Sequence, residues 1–113
     1  MKVLILLSCL VGCESRIEHA ESLVDDGDYV EARAVLAHES CVARSEALRC
    51  ALAFAIVADG VGDRVARDAW IARCRLLAQT QRVGGIEQAR LNALDRRVLW
   101  ERQVDRAIAG LRQ

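Results

Sequence analysis

Apolar residues recur every three or four positions along most of the chain, the spacing that places them on one face of a helix. The pattern breaks at Gly27-Asp28, at Gly62-Asp63 and at Gly84-Gly85. Glycine adopts the left-handed conformation that ends a helix, and a following Asp is suited to cap the next helix. We therefore predict an all-α fold of two antiparallel helical hairpins and a long C-terminal helix. Their predicted bounds are 15–40, 44–81 and 86–111.

The long C-terminal helix is predicted to act as a cap on the hairpins. The chain contains no proline, and its frequent Ala, Leu, Arg and Glu residues lose little freedom in a helix. We expect one apolar stripe along this helix, which covers the exposed apolar edge of the hairpins. The stripe consists of Leu94, Val98, Val104, Ile108 and Leu111.

The first residues of the chain have the proportions of a secretory signal. Met1-Lys2 supplies one positive charge, and the apolar run from Val3 to Val11 has nine residues. That length falls within the ~7–15 residues of a signal peptide core and far below the ~20 residues that span a bilayer. We therefore expect an exported protein.

The apolar run ends in Leu10-Val11-Gly12-Cys13. These residues resemble the lipobox of bacterial lipoproteins, in which Leu, a small or aliphatic residue, and Gly or Ala precede a Cys. The resemblance implies that residues 1–12 are a removed signal peptide and that Cys13 carries acyl chains, which hold such a protein on a membrane. We therefore expect a lipid-anchored, periplasm-facing protein of the bacterial cell envelope. In this family an Asp directly after the lipidated Cys retains a protein in the inner membrane. Because Glu14 stands at that position here, we expect the outer membrane.

Residues 13–113 have the size of a single α-helical domain. Within this domain the two Gly-Asp turns are spaced like a structural repeat. Gly27-Asp28 recurs as Gly62-Asp63 thirty-five residues later, close to the ~34-residue period of tetratricopeptide repeats. The stretch from Ala20 to Ala32 resembles one such repeat. Ala20 and Leu23 match the small and the later large residue of its first helix, and Ala32 matches the small residue of its second helix, with the turn at Gly27-Asp28 between the two helices.

The repeat resemblance implies a binding groove. In this family the inner faces of the first helices of adjacent repeats form a groove for a peptide or a helix. On this chain the groove residues are Ile17, Glu21, Val24, Arg49, Leu52 and Ile56. The alternative is an unrelated five-helix bundle, in which the C-terminal helix folds across this face and buries Leu52 and Ile56.

Three cysteines remain in the mature chain once Cys13 carries lipid. They are Cys41, Cys50 and Cys74, and a disulfide is expected because an exported protein lies in an oxidising compartment. In a hairpin that turns near Gly62, Cys50 lies almost opposite Cys74, so this pair is the first expectation. The alternative pair is Cys41 with Cys50, because a short loop can fold back over the start of the helix. Either choice leaves one thiol unpaired.

The residue types that carry catalysis form no recognisable constellation in the sequence. It contains no glycine-rich phosphate loop, and no Ser-His-Asp or Cys-His arrangement stands out above chance. His38 and Cys41 have a His-x-x-Cys spacing, but a zinc site needs a second close pair. We therefore predict no enzymatic activity, no cofactor and no metal site. Nucleic acid is a poor partner for an exported chain.

Charge is unevenly distributed along the chain, although the net charge is zero. Residues 14–59 contain ten acids and four arginines, whereas residues 60–113 contain six acids and eleven arginines. The simplest interpretation is that acidic and basic helices face each other within one bundle. The alternative is a basic surface for lipid head groups or for an acidic partner.

These features together predict a binding protein. The first hypothesis is a membrane-tethered helical adaptor or scaffold, similar in build to pilotin-like lipoproteins, that binds a short amphipathic protein segment in the groove. The alternative hypothesis is a periplasmic immunity or exclusion lipoprotein that inhibits one specific protein by masking its active site. The candidate surface for the alternative is the stretch of Arg64, Arg67, Arg73, Arg75 and Arg82.

Overall fold

The computed structural model describes residues 16–41 and 46–112. Within these residues the chain forms five α-helices and no strand. The helices are α1 (Arg16–Asp25), α2 (Tyr29–Leu36), α3 (Ala47–Gly60), α4 (Arg64–Thr80) and α5 (Gly85–Leu111). The predicted all-α fold of two antiparallel hairpins and a long C-terminal helix is therefore confirmed. The predicted signal peptide and the lipid site at Cys13 lie outside the described residues.

Both hairpins reverse direction through the same backbone motif. Gly27 has a φ of 81° and Gly62 has a φ of 80°, a conformation that favours glycine. In the first turn the N–H of Asp28 donates to the carbonyl oxygen of Leu23 at 2.8 Å, and the N–H of Gly27 donates to that of Val24 at 3.0 Å. The equivalent bonds of the second turn measure 2.9 and 3.1 Å. Each turn is therefore a Schellman ending, which satisfies the last carbonyl groups of its helix.

The two turn aspartates differ in how they begin the next helix. The side chain of Asp63 accepts a hydrogen bond from the N–H of Ala66 at 3.1 Å, so the predicted cap of α4 is confirmed. Asp28 stands at the equivalent position before α2, but its exposed side chain makes no capping hydrogen bond. The predicted side-chain cap of α2 is therefore wrong.

Helix α3 is the centre of the domain. One side of it packs against α4 and α5, and another side packs against α1 and α2, as suits a helix that is apolar nearly all round. The first cluster contains Leu48, Ala51, Leu52, Ala55, Ile71, Cys74, Leu91 and Leu94. The second cluster contains Ala20, Ala32, Leu36, Ala53 and Val57.

Helix α5 runs beside α3 and then extends past the end of the bundle. Near its start Arg90 contacts Glu21 of α1, and further along Arg97 contacts Asp59, next to the last residue of α3. The 27 residues of α5 span about 40 Å, whereas the 14 residues of α3 span about 21 Å. The C-terminal part of α5 therefore projects beyond the turn at Gly62.

The apolar residues of α5 form two stripes, so the predicted single stripe is wrong. Leu94 is 4% exposed and faces α3, whereas Ile108 and Leu111 are 45% and 86% exposed. Val98 and Val104 are six residues apart, which places them about 120° apart around an α-helix. An inner stripe packs on the bundle, and an outer stripe faces away from it.

The disulfide joins Cys41 to Cys50, with a Cα–Cα distance of 5.4 Å, and Cys74 is a buried free thiol. The first expectation, Cys50 with Cys74, is not met because the two residues lie on different sides of α3. Cys50 precedes Ala53 and Val57 by three and seven positions, so it shares their side, which faces α1 and α2. Cys74 belongs to the cluster between α3, α4 and α5. The structure therefore has the alternative pair.

Candidate binding groove

The predicted groove between α1 and α3 is covered by α5. The two helices do lie side by side, and Nε of Arg49 donates to both carboxylate oxygens of Glu21 at 3.2 Å. Leu52, however, is 1% exposed, because it packs in one cluster with Leu91 and Leu94 of α5. Helix α5 therefore occupies the place that the repeat resemblance assigns to a peptide, as in the five-helix alternative.

The remaining residues of the predicted groove offer little space. Glu21, Val24 and Ile56 line a cavity together with Arg90, and its volume is about 40 Å³. A cavity of this size holds one or two water molecules and no peptide side chain. Ile17 packs against the cluster between α1, α2 and α3. Leu52 is fully buried and the other five predicted residues are partly buried, so the predicted groove is closed by α5.

Glu21 joins three helices through its carboxylate. Arg49 of α3 and Arg90 of α5 both donate hydrogen bonds to it, and the Nη1 atom of Arg90 lies 2.7 Å from the carboxylate. Burial by itself raises the pKa of Glu21, but these hydrogen bonds outweigh burial and lower the pKa below its usual value. The carboxylate therefore stays ionised at neutral pH and holds the start of α5 on α1 and α3. This stabilisation is present above the unfolded pKa of Glu21 and is lost as pH falls through the lower folded pKa.

Arg67 joins three helices at the other end of the bundle. It is 2% exposed, and its Nη1 atom donates to Asp59 of α3 at 3.1 Å and to Glu101 of α5 at 2.7 Å. Its Nε atom donates to the neighbouring Asp68 at 3.0 Å. Burial by itself lowers the pKa of Arg67, but the hydrogen bonds to Glu101, Asp59 and Asp68 outweigh burial and raise the pKa. Arg67 is therefore a permanent buried cation that holds α5 on α3 and α4.

The arginine-rich surface predicted on α4 does not exist as a continuous cationic face. Arg67 is buried, Arg64 forms ion pairs with Glu101 and Asp105, and Arg75 forms one with Asp95. Only Arg73 and Arg82 of the predicted set have no ion pair within the described part of the chain. Acids of the first half also contact arginines of the second half, as the ion pairs of Glu21 with Arg90 and of Asp59 with Arg97 show.

The α4–α5 groove is a second, open groove that the sequence reading did not predict. Its volume is about 390 Å³. Its apolar residues are Ile71, Val98 and Leu99, and its charged residues are Asp68, Arg75, Asp95 and Arg102. Leu99 is 57% exposed although it lines the groove, so an apolar contact surface is present without a covering element. The groove is therefore the best candidate for binding a partner.

Charges of both signs surround the apolar part of the α4–α5 groove. Arg75 of α4 pairs with Asp95 of α5, so one ion pair crosses the groove. Arg102 has no ion pair among the described residues, and Asp68 is half-exposed while it contacts Arg67. The groove therefore offers an apolar contact at Leu99 and one uncompensated cation for a carboxylate.

One signal in the sequence points to the α4–α5 groove. Leu99 is a large apolar residue of α5 that belongs neither to the predicted stripe nor to a turn. A large apolar residue outside the predicted stripe indicates a further apolar surface on the same helix. The partners of Leu99 across the groove cannot be read from periodicity, because they belong to another helix.

The described residues provide no metal centre and no activated thiol. They contain no group of three or more His, Cys, Asp or Glu side chains placed to hold a metal ion. Burial raises the pKa of the Cys74 thiol to about 11, so this thiol is protonated at neutral pH and is a poor nucleophile. Within the same residues, no helix is both long and apolar enough to cross a bilayer.

The chain has no significant match to a protein-family model, to a curated protein or to a solved structure.

Proposed function

We propose that this protein is a lipid-anchored, periplasm-facing adaptor of the bacterial envelope, which binds a short amphipathic segment of a partner protein in the α4–α5 groove. The observation that carries the proposal is Leu99, a leucine that is 57% exposed inside an open groove. The lipobox residues that end in Cys13 support the anchor.

The α4–α5 groove suits an amphipathic segment better than a small molecule or an extended acidic peptide. Its apolar residues accept aliphatic side chains from one face of a helix, which is a common mode of peptide recognition. Its charged residues are two acids and two arginines, and Arg75 and Asp95 already neutralise each other. The uncompensated Arg102 favours a segment that carries a carboxylate beside its apolar residues.

The short connection to the anchor fixes how the domain stands on the membrane. Cys13 precedes Arg16, the first residue of α1, by three positions, which reach at most about 11 Å. The start of α1 therefore lies close to the lipid surface. Helix α5 ends at the opposite end of the bundle, beyond the Gly62 turn, so the α4–α5 groove runs away from the membrane and stays accessible to a periplasmic partner.

The alternative hypothesis, an immunity or exclusion lipoprotein, has weaker support. It needs a continuous charged surface that masks another protein's active site. Ion pairs within the chain engage Arg64, Arg67 and Arg75 of the candidate surface. The remaining residues, Arg73 and Arg82, are nine positions apart and give no extended patch.

Lipid attachment at Cys13 is the first expected result. Cells that express the full chain and grow with an alkyne-labelled palmitate analogue are expected to give a labelled protein, because the lipidated cysteine is the attachment point. Cys13→Ser is expected to lose the label and to leave the membrane fraction. Equal labelling of both proteins would contradict the lipid anchor and leave the groove untested.

Loss of partner capture in Leu99→Asp is the second expected result. The change places a carboxylate in the apolar part of the groove, three residues from Arg102, so a bound segment loses its apolar contact and competes with that carboxylate for Arg102. Envelope proteins recovered with the tagged full chain are identified by mass spectrometry and compared between variants. Leu76→Asp is the matched control, because Leu76 is 63% exposed and does not line the groove. Identical capture by both variants would contradict the proposed site.

A further inference from the structure

The outer stripe of α5 is an exposed apolar face that the α4–α5 groove does not use. Trp100 is 61% exposed, Ile108 45% and Leu111 86%, while Val104 is half-buried. These residues and Ala107 follow one another at spacings of four, three, one and three positions. Such spacings place all of them on one face of an α-helix. We use the name outer stripe for Trp100, Val104, Ala107, Ile108 and Leu111.

The outer stripe points away from the bundle. The inner side of α5 is defined by Leu91 and Leu94, which are buried against α3, and by Glu101, which contacts Arg67. The centre of the outer stripe lies roughly 130° around the helix from the two leucines and roughly 75° from Glu101. The end of α5 beyond Asp105 also projects past the Gly62 turn, whereas Glu101 and Asp105 still contact Arg64 of α4. No described helix of the same chain therefore covers the outer stripe.

The charges near the outer stripe favour a neutral apolar occupant. Glu101 and Asp105, on one flank, are held by arginines of α4. Arg102 and Arg106 have no ion pair within the described residues, but they lie roughly 150–180° from the centre of the stripe. An anionic membrane or an acidic helix is recognised by cations that border the apolar face. Two of the three arginines of α5 that are unpaired in the described chain, Arg102 and Arg106, are on the opposite side of the helix, and only Arg96 borders the stripe.

We propose that the outer stripe binds the outer stripe of a second copy of this chain. The two copies present the same apolar positions at the same spacing, so a two-fold contact is self-complementary. Trp100 and Ala107 occupy d positions of a heptad, and Val104 and Leu111 occupy a positions, which is the pattern of a two-helix seam. The unpaired arginines behind the stripe stay on the outside of the pair.

The two α5 helices pair in parallel, a point that rests on the proposed function. Each anchor at Cys13 lies near the start of α1, and α5 ends at the opposite end of the bundle. Only a parallel pair places both anchors at the same end, where they enter one membrane.

The area of contact between the two outer stripes, the seam, determines how strongly the two copies associate. Residues 100–111 span about 18 Å, and stable specific interfaces bury at least about 1,200 Å² in total. A seam of three helical turns falls at or below that limit, so association in solution is reversible. Anchoring confines both copies to one surface and raises their effective concentration. The dimer is therefore a property of the membrane-bound protein.

Disulfide trapping in isolated envelopes tests the proposal on the full chain. In Leu111→Cys the new thiol meets its equivalent across a parallel seam, whereas in Arg106→Cys the thiols point away from each other. The cysteines of the described residues do not interfere, because Cys41 and Cys50 are paired and Cys74 is buried, and under the proposed function Cys13 carries lipid. Mild oxidation is expected to shift most of Leu111→Cys, and little of Arg106→Cys, to twice the mass on a non-reducing gel. Equal trapping of both variants, or trapping of neither, would overturn the proposal.

A second variant separates a specific seam from mere proximity on the membrane. Trp100→Glu in the Leu111→Cys chain places two carboxylates in the seam and is expected to abolish trapping. Its thermal melt is expected to match that of Leu111→Cys, because Trp100 is 61% exposed. Persistent trapping in this variant would overturn the proposal. Trapping is read without any partner, so its failure leaves the Leu99 result to decide the proposed function separately.

Discussion

Leu52→Asp is expected to leave the domain unfolded at room temperature. Leu52 is 1% exposed between α3, α4 and α5, and nothing in its cluster can pair with a carboxylate. An unpaired buried charge costs several kcal/mol in addition to the lost apolar contacts. The whole free energy of unfolding of a domain is about 5–15 kcal/mol. Circular dichroism of the purified protein during heating measures the effect.

Two further variants show whether the effect of Leu52→Asp comes from placing a charge in the core. Leu52→Ala is expected to fold with a free energy of unfolding lower by about 2–5 kcal/mol, because it removes apolar contacts without adding a charge. Leu76→Asp adds the same charge at a position that is 63% exposed and is expected to change stability by less than about 0.5 kcal/mol. A Leu52→Asp protein that melts like Leu76→Asp would contradict the burial of this face by α5.

Arg67→Met is expected to lower the free energy of unfolding by about 3–5 kcal/mol, the range for removal of one partner from a buried ion pair. Met keeps most of the side-chain length, so the loss reports the charge and its hydrogen bonds. Without Arg67, the carboxylates of Asp59 and Glu101 face each other with only Arg97 and Arg64 to compensate them. Urea unfolding followed by circular dichroism gives the difference.

A double-mutant cycle identifies the contact that carries the Arg67 effect. Glu101→Gln alone removes the negative charge on α5, and the double variant Arg67→Met with Glu101→Gln is expected to be less destabilised than the sum of the two changes. The difference from additivity measures the coupling between α4 and α5. If the two effects on the free energy of unfolding are additive, Arg67 does not stabilise the contact between α4 and α5 through Glu101.

The sequence was sufficient for the elements of the fold because their signals are local. Gly27 and Gly62 mark both turns, since the left-handed conformation they adopt favours glycine. Asp63 was recognised as a cap because its hydrogen bond to Ala66 spans only three residues. The length of α5 followed from Gly84-Gly85 and from the absence of proline. Each of these features depends on neighbours along the chain.

The candidate site was not predictable because it depends on how helices face each other. Periodicity places Leu52 on an apolar face but does not say whether a peptide or α5 covers that face. Arg67 was assigned to the surface because arginines are rarely buried, and its partner on α5, Glu101, is 34 residues away in the sequence. Cys50 pairs with Cys41 because of the side of α3 on which Cys50 lies. A helix rotates by 100° per residue, so an error of one residue in the inferred packing face directs the side chain to a different neighbour.

Photo-crosslinking at Leu99 shows directly whether the α4–α5 groove binds a partner protein. A photoreactive amino acid replaces Leu99 in the full chain, the cells are irradiated, and the adducts are identified by mass spectrometry; the same substitution at Leu76 is the control. The α4–α5 groove predicts a defined adduct between position 99 and one envelope protein, and little or none at position 76. Equal adducts at both positions, or adducts at position 76 alone, would contradict the assignment of the groove as the binding site.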